Sequence, residues 1–375
     1  MTTSTPLQSA PPRFALDRLD AGDPGAIDAL HHALRSQGFV YIDADTVLDA
    51  GSLTNVLGEA RAFFDLSQAE KDALDLDLSP NYRGYVGMGA EYTNGVADVK
   101  ESFEFAPETV APAVAGEPPP YFKLYGANQW PDPGRLPRFR PALETYSAAV
   151  ERIGRSVLQA VARTLDQPTT SAPGEGLFGG DLCSFSRLIY YAEAADTGDA
   201  PARREAHTDH TLLTVILQSS PGLEVADGDG WQPVTASPDT FLVFLGEMME
   251  FWTRGYYTAL PHRVYDAALA AERVSIATFF LPDLRNRVAP IVPSTSTRMA
   301  SAELSLSADN SWLTPSAVDP PSTGDAAGPS GSLQPIIVGE KEWQRIHAIF
   351  PEQSSSEQSS SEQSSSRTSS SEGDA

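Results

Sequence analysis

The sequence is poor in cysteine: it has one, Cys183. No intramolecular disulfide can form and no thiolate cluster can hold a metal, so a reducing compartment is implied and any metal must be bound by histidine and carboxylate. Positive charge is also scarce, with 26 Lys and Arg against 50 Asp and Glu and a net charge of -24. That balance excludes nucleic acid or an anionic membrane recruited through a basic face. Long apolar runs are missing. The longest strand-like one, Phe241 to Leu245, falls far short of the roughly 20 residues of a membrane helix. Met1 to Arg13 is polar and proline-bearing without an apolar core, which predicts neither signal peptide nor anchor and points to a cytoplasmic address. What remains is a chain of 375 residues, 41% hydrophobic and 9% aromatic, enough for one large domain or two modest ones and incompatible with wholesale disorder.

The first part mixes helix and strand. Gly38 to Ile42 is a short apolar run suited to a buried strand, and Leu53, Val56, Leu57, Ala60, Phe63 and Phe64 recur at the three- and four-residue steps of one helical face. Ser67-Gln68-Ala69-Glu70 reads as a capping box opening a second helix. From Phe139 to Leu165 the same alternation persists for about seven turns, predicting a long helix lying along a sheet. After Ser184 the pattern changes to short β-rich runs: Phe185 to Tyr191, Leu212 to Gln218, Leu223 to Val225, Thr240 to Leu245, Phe251 to Thr253 and Arg273 to Phe280. Turn residues such as Asp227-Gly228-Asp229-Gly230 separate them. Many short strands at close spacing predict an antiparallel sandwich or barrel.

His207-Thr208-Asp209 precedes one of these runs. On a strand, residues two apart share a face, so an imidazole and a carboxylate would aim at one point. The pair alone is a weak signal. A third ligand is His262, 53 residues after Asp209, on the far side of a predicted hairpin turning at Arg254-Gly255. Two histidines and a carboxylate leave three adjacent coordination positions open, the arrangement of non-haem Fe(II) oxygenases. Eleven residues beyond His262, Arg273 and Ser275 share one strand face while Val274 and Ile276 take the other. A planar guanidinium beside a hydroxyl is a carboxylate receptor.

These segments, together with Gly38 to Ile42, Arg83-Gly84-Tyr85, Asp98 to Phe103, Arg187 to Tyr191, Gly222 to Val225 and Trp252-Thr253, resemble the isopenicillin N synthase-like family of Fe(II)/2-oxoglutarate-dependent dioxygenases from about Gly38 to Pro282. The resemblance implies a mixed α and β fold, with a double-stranded β-helix (jelly roll) core, a long bracing helix and an N-terminal helical region. It implies Fe(II) held by His207, Asp209 and His262, with Arg273, Ser275 and Tyr191 gripping 2-oxoglutarate. O2 would be the second cosubstrate and succinate and CO2 the coproducts. Hydroxylation, desaturation or cyclisation of a small molecule, of natural-product type, would follow. Ile189 and Phe244 stand where many plant members have asparagine.

Candidates for substrate contact are Arg83 and Tyr85, the aromatic residues Phe103, Phe105, Phe185 and Phe280, and Arg187, which lies in strand phase with Phe185 and Tyr191. His210 is read as a polar neighbour of the metal site, and His31, His32 and His347 as solvated helix residues. Two other readings share the fold: a 2-oxoglutarate-independent iron oxidase or oxidative cyclase, whose Arg-x-Ser pair would grip the substrate's own carboxylate, and a ligand-binding jelly roll without chemistry. The expected organisation is an N-terminal region, 1–135, packed on the core; bracing helix and jelly roll, 136–290; an irregular surface excursion, 291–335; a short helix, 336–350; and a disordered Ser/Glu/Gln repeat tail, 351–375.

Overall fold

The computed structural model describes residues 12–350 apart from 94–95, 173, 193–203, 229, 238, 265–271, 309 and 314–334. The repeat tail therefore lies outside the described residues. The chain begins with β1 (Arg13–Phe14), α1 (Leu16–Asp20), α2 (Pro24–Ser36) and β2 (Phe39–Asp43), followed by α3 (Ala50–Phe64) and α4 (Gln68–Asp72). Next come β3 (Gly84–Val86), β4 (Tyr92–Thr93), β5 (Val96–Ala97), β6 (Glu101–Phe105) and α5 (Phe139–Thr164). The β-rich half holds β7 (Cys183–Tyr191), β8 (Arg204–His207), β9 (Leu213–Gln218), β10 (Leu223–Asp227), β11 (Gly230–Pro233) and β12 (Thr240–Leu245). It ends with α6 (Glu247–Trp252), β13 (His262–Val264), β14 (Arg273–Leu281), β15 (Arg287–Val288), β16 (Ile336–Ile337) and α7 (Val338–Ile349).

Two sheets face each other as a jelly roll. The larger runs β1-β2-β12-β9-β14-β7-β6-β3, and the smaller β11-β10-β13-β8. Pairing in both is antiparallel except between β1 and β2. The first 105 residues thus supply four strands of the main sheet as well as the helices around it.

Strand alternation sorts β14 between two environments. Val274, Ile276, Thr278 and Phe280 join the layer beneath α5, where the Tyr146 hydroxyl lies 3.1 Å from Thr278 Oγ1. A Cβ on Gly154 of α5 would sit 2.5 Å from the Phe280 ring, so the helix gives up roughly 1 kcal/mol of propensity at that glycine to let the ring approach. The apolar face of α5, including Leu143, Val150, Ile153, Val157 and Val161, is fully buried, each such side chain contributing about 1.5–3 kcal/mol. The opposite β14 face carries Arg273, Ser275, Ala277 and Phe279 toward the small sheet, where Ala277 and Phe279 pack with Leu223, Val225 and Val264.

Three local expectations differ from what folds. Phe251 and Trp252 close α6 rather than forming a strand, because Glu247 to Trp252 buries a compact helical face that includes Met248 and Met249. Arg254 and Gly255 do not turn a hairpin; at φ 55° and 78° they cap α6, and the Gly255 N–H donates 2.8 Å to the Glu250 carbonyl. The segment read as a surface excursion is described as far as residue 313, and there Ile291, Met299 and Trp312 are core side chains.

Candidate active site

β8 and β13 pair with His207 opposite His262, which brings the two imidazole rings to 4.3 Å between centroids. Asp209 lies two residues past the end of β8, in the loop leading to β9. Its convergence is therefore made by the loop and not by strand alternation. Asp209 Oδ1 is 3.8 Å from Nε2 of both His207 and His262, and one ligand atom from each of the three lies within 4.8 Å of the other two. The loop is held firmly. Asp209 Oδ2 accepts from Thr214 Oγ1 at 2.5 Å, and the Asp209 carbonyl accepts from the Glu247 N–H at 2.7 Å. A Cβ at Gly246 would come within 2.6 Å of that carbonyl, so glycine is required by the close approach. His262 Nδ1 donates to the Leu260 carbonyl at 3.0 Å, leaving the Nε2 lone pair aimed at the cluster. Two imidazole nitrogens and a carboxylate oxygen around one point are mutually repulsive until a cation joins them, and their donor set fits Fe(II).

Deeper between the sheets, Arg273 is buried and lies beside Ser275. Its Nη1 donates to Ser275 Oγ at 2.9 Å and its Nη2 to Gln218 Oε1 at 3.0 Å. The guanidinium is 5.5 Å from the centre of the Tyr191 ring. Gly222, at φ 146°, leaves room for the arginine stem, since a Cβ there would meet Arg273 Cδ at 2.9 Å. Among the described residues no carboxylate pairs with Arg273, and its Nε has no acceptor. Burial accordingly pulls its pKa down. Phe39, Ile189, Leu242 and Phe244 surround this chamber with hydrocarbon, and the Phe244 ring stands 4.6 Å from that of His262. Ile189 and Phe244 thus wall the chamber where an asparagine pair would have offered polar contacts.

On the other side of the triad opens a cavity of about 550 Å³. Of the predicted substrate residues it takes in Arg83, Phe105, Phe185 and Arg187. Arg83 donates to the carbonyls of Asn81, Tyr82 and Leu124 and lies 5.1 Å from the centre of the Phe185 ring. Burial lowers its pKa to about 10. Tyr85, Phe103 and Phe280 are not part of the cavity wall. The Tyr85 hydroxyl donates to Glu101 at 2.7 Å, Phe103 packs 4.7 Å from Phe63 and 5.5 Å from Phe139, and Phe280 faces α5. The phase rule explains the last: Phe280 belongs with Val274 and Ile276, whereas its neighbour Phe279 belongs with Arg273 and lines the cavity.

Sequence reasoning missed the far wall. Trp312 and residues of α7, among them Glu342, Arg345, Ile346 and Ile349, close it. His210 ties them to the metal loop: its Nε2 is 2.6 Å from Glu342 Oε2, and its carbonyl accepts from Trp312 Nε1 at 2.6 Å. Burial alone would raise the Glu342 pKa, but Arg345 at 2.5 Å and His210 outweigh it and hold the carboxyl far below its usual range. A short helix is expected at 336–350 and forms as α7, but the expectation did not include its place on the cavity. His32 is exposed as expected and pairs with Asp28. His31 is not solvated. It is buried with Nδ1 2.7 Å from the Tyr257 hydroxyl, and desolvation lowers its pKa to about 4. His347 is half-buried, 3.3 Å from the Tyr82 hydroxyl.

Residues 182–282 match the 2OG-Fe(II) oxygenase superfamily, and residues 12–133 match the family described as non-haem dioxygenase in morphine synthesis N-terminal. A 2-oxoglutarate-dependent dioxygenase of Aspergillus niger is 31% identical over 236 residues, covering 61% of this chain and 70% of the relative. A homoarginine-6-hydroxylase of Oryza sativa subsp. japonica is 29% identical over 273 residues, 71% of this chain and 80% of the relative. The fold is shared with a 2OG-Fe(II) oxygenase family protein from Caulobacter crescentus, at a TM-score of 0.67 and 21% identity over 91% of this chain and 99% of that one. It is shared also with JOX2, solved in complex with 2OG, Fe and JA, at a TM-score of 0.62 and 20% identity over 77% and 80%.

Proposed function

Because the chain belongs to the 2OG-Fe(II) oxygenase superfamily, whose members use Fe(II), 2-oxoglutarate and O2, we propose that His207, Asp209 and His262 hold the metal of this dioxygenase. Arg273 with Ser275 receives the distal carboxylate of 2-oxoglutarate, and Tyr191 borders the same chamber. The substrate is a small molecule of natural-product type that enters the cavity bounded by Arg83, Phe185 and Arg187. The enzyme works in the cytoplasm; no helix among the described residues is long and apolar enough to cross a membrane.

One observation carries this reading: three ligand atoms from β8, the following loop and β13 converge, and the sheets also hold a buried guanidinium without a carboxylate among the described residues. Bound Fe(II) supplies the redox chemistry that couples decarboxylation of the keto acid to oxidation of an unactivated carbon. The protein's part is positional. Thr214 fixes the orientation of Asp209, and the Leu260 carbonyl fixes the tautomer of His262. Arg273 orients the cosubstrate through a charge-assisted contact, and Ile189, Phe39 and Phe244 keep water from the inner chamber.

Anaerobic titration with Fe(II) and then 2-oxoglutarate tests the assignment. A visible charge-transfer band should grow to one equivalent of each. His207→Ala should abolish the band and lower substrate-dependent succinate formation by more than about a thousandfold, since the remaining ligands no longer close the site. Retention of iron and turnover in that variant would refute the ligand set.

A further inference from the structure

The cavity contains a carboxylate whose pairing is incomplete. Glu104 on β6 stands opposite Arg187 of β7, and both side chains line the cavity. Arg187 is divided between two acids: Nη1 and Nη2 reach Glu91 at 3.1 and 2.8 Å, and only Nε faces Glu104. Lys100 is committed to Glu91 and Asp98. Glu104 Oε1, the oxygen facing Arg187 Nε, is buried without a hydrogen bond, and among the described residues no donor is seen on Oε2. Burial pushes the Glu104 carboxyl up and Arg187 pulls it back. A largely buried carboxylate that leans on an arginine and lines an open cavity is stabilised by any cation that docks there. The rings of Tyr82, Phe105 and Phe185 line the same space and suit the face or apolar stem of an organic cation. The cations of the far wall do not neutralise it: Arg345 pairs with Glu342 at 2.5 Å, and Lys341 lies 3.4 Å from the Ser311 carbonyl.

Resting on the reading of this cavity as the substrate site, we infer that Glu104 recognises a protonated nitrogen at the end of the substrate remote from its carboxylate, a side-chain amine or guanidinium. Arg83 gives the site its opposite pole. Its guanidinium is buried without a carboxylate partner among the described residues, and Glu104 is among the charges that act on it. A small zwitterion, built like an amino acid with a basic and an acidic end, satisfies both.

The test is calorimetric titration of the Fe(II)- and 2-oxoglutarate-loaded protein under nitrogen with two matched pairs of probes, L-arginine against L-citrulline and L-lysine against L-norleucine. The cationic member of each pair should bind at least about tenfold more tightly, the scale of one charge-assisted contact. Glu104→Gln should reduce that ratio below about twofold while leaving 2-oxoglutarate affinity unchanged, and Glu104→Asp, which keeps the charge, should restore part of it. Equal binding within each pair, a ratio that survives Glu104→Gln, or no binding of either cation overturns the inference. Failure of 2-oxoglutarate itself to bind would overturn the functional assignment instead, so the two outcomes are separable.

Discussion

The inner chamber around Arg273 and the outer cavity at His207 and Asp209 are built differently. The chamber is made from adjacent strands: Arg273 and Ser275 on β14, Tyr191 on β7 and Gln218 on β9 meet through continuous registers. The cavity is assembled from separate segments, with Arg83 before β3, Glu104 on β6, Trp312 beyond the barrel and α7 at residues 338–349. A chamber set by backbone hydrogen bonding suits the role proposed for it, holding a cosubstrate common to many relatives. A cavity set by side-chain docking between distant segments is free to vary, and with it the substrate.

The sharpest way to break this contrast is at Arg273. Arg273→Met should raise the dissociation constant of 2-oxoglutarate by about a hundredfold, the cost of losing a buried charge-assisted pair, with probe binding in the outer cavity retained. Thermal unfolding of the metal-free variant should be no lower than that of the parent, because the charge removed is desolvated and has no counter-ion among the described residues. A concurrent loss of cavity binding would show that the two compartments are not independent.

Glu342 probes the outer side. Glu342→Gln should destabilise the protein by about 1–3 kcal/mol, since His210 and Arg345 lose their buried counter-charge, while 2-oxoglutarate affinity changes little. The folded-state pKa of Glu342 is depressed from 4.5, so its stabilisation is fully present above that value and is lost as the pH falls toward the folded value. The difference in melting temperature between parent and variant should therefore shrink on acidification below pH 4.5, and a constant difference would count against the ion pair. The smallest effect expected lies away from both compartments. Gly154→Ala improves helix propensity, yet its Cβ would meet the Phe280 ring at 2.5 Å. Overpacking should therefore win, with a net loss of about 1 kcal/mol in a denaturant melt and no change in either binding constant.

The same contrast governs what could be read from the chain. The period of α5 and the capping box at Ser67 and Glu70 are encoded locally, and both form where their patterns place them. Arg273 and Ser275 share a face because strand alternation dictates it. The union of His207, Asp209 and His262 was legible from residue types and spacing, although the stated reason was wrong for Asp209, whose loop is shaped by Thr214 and Gly246. Phe280 was misassigned although its own phase with Val274 and Ile276 pointed to α5. Glu104 and Trp312 carried no periodic signal, because their place in the cavity depends on which distant segment docks against them. His31 was hidden for the same reason: two tyrosines from 225 and 226 residues away bury it.

The order of parts along the chain has a consequence for biogenesis. β14 ends at Leu281 and α7 begins at Val338, so a ribosome adding about 5–20 residues per second releases the completed jelly roll several seconds before the helix that shuts its outer face. A nascent chain at that stage already carries the residues proposed to hold metal and keto acid but has an open mouth where the outer cavity will be.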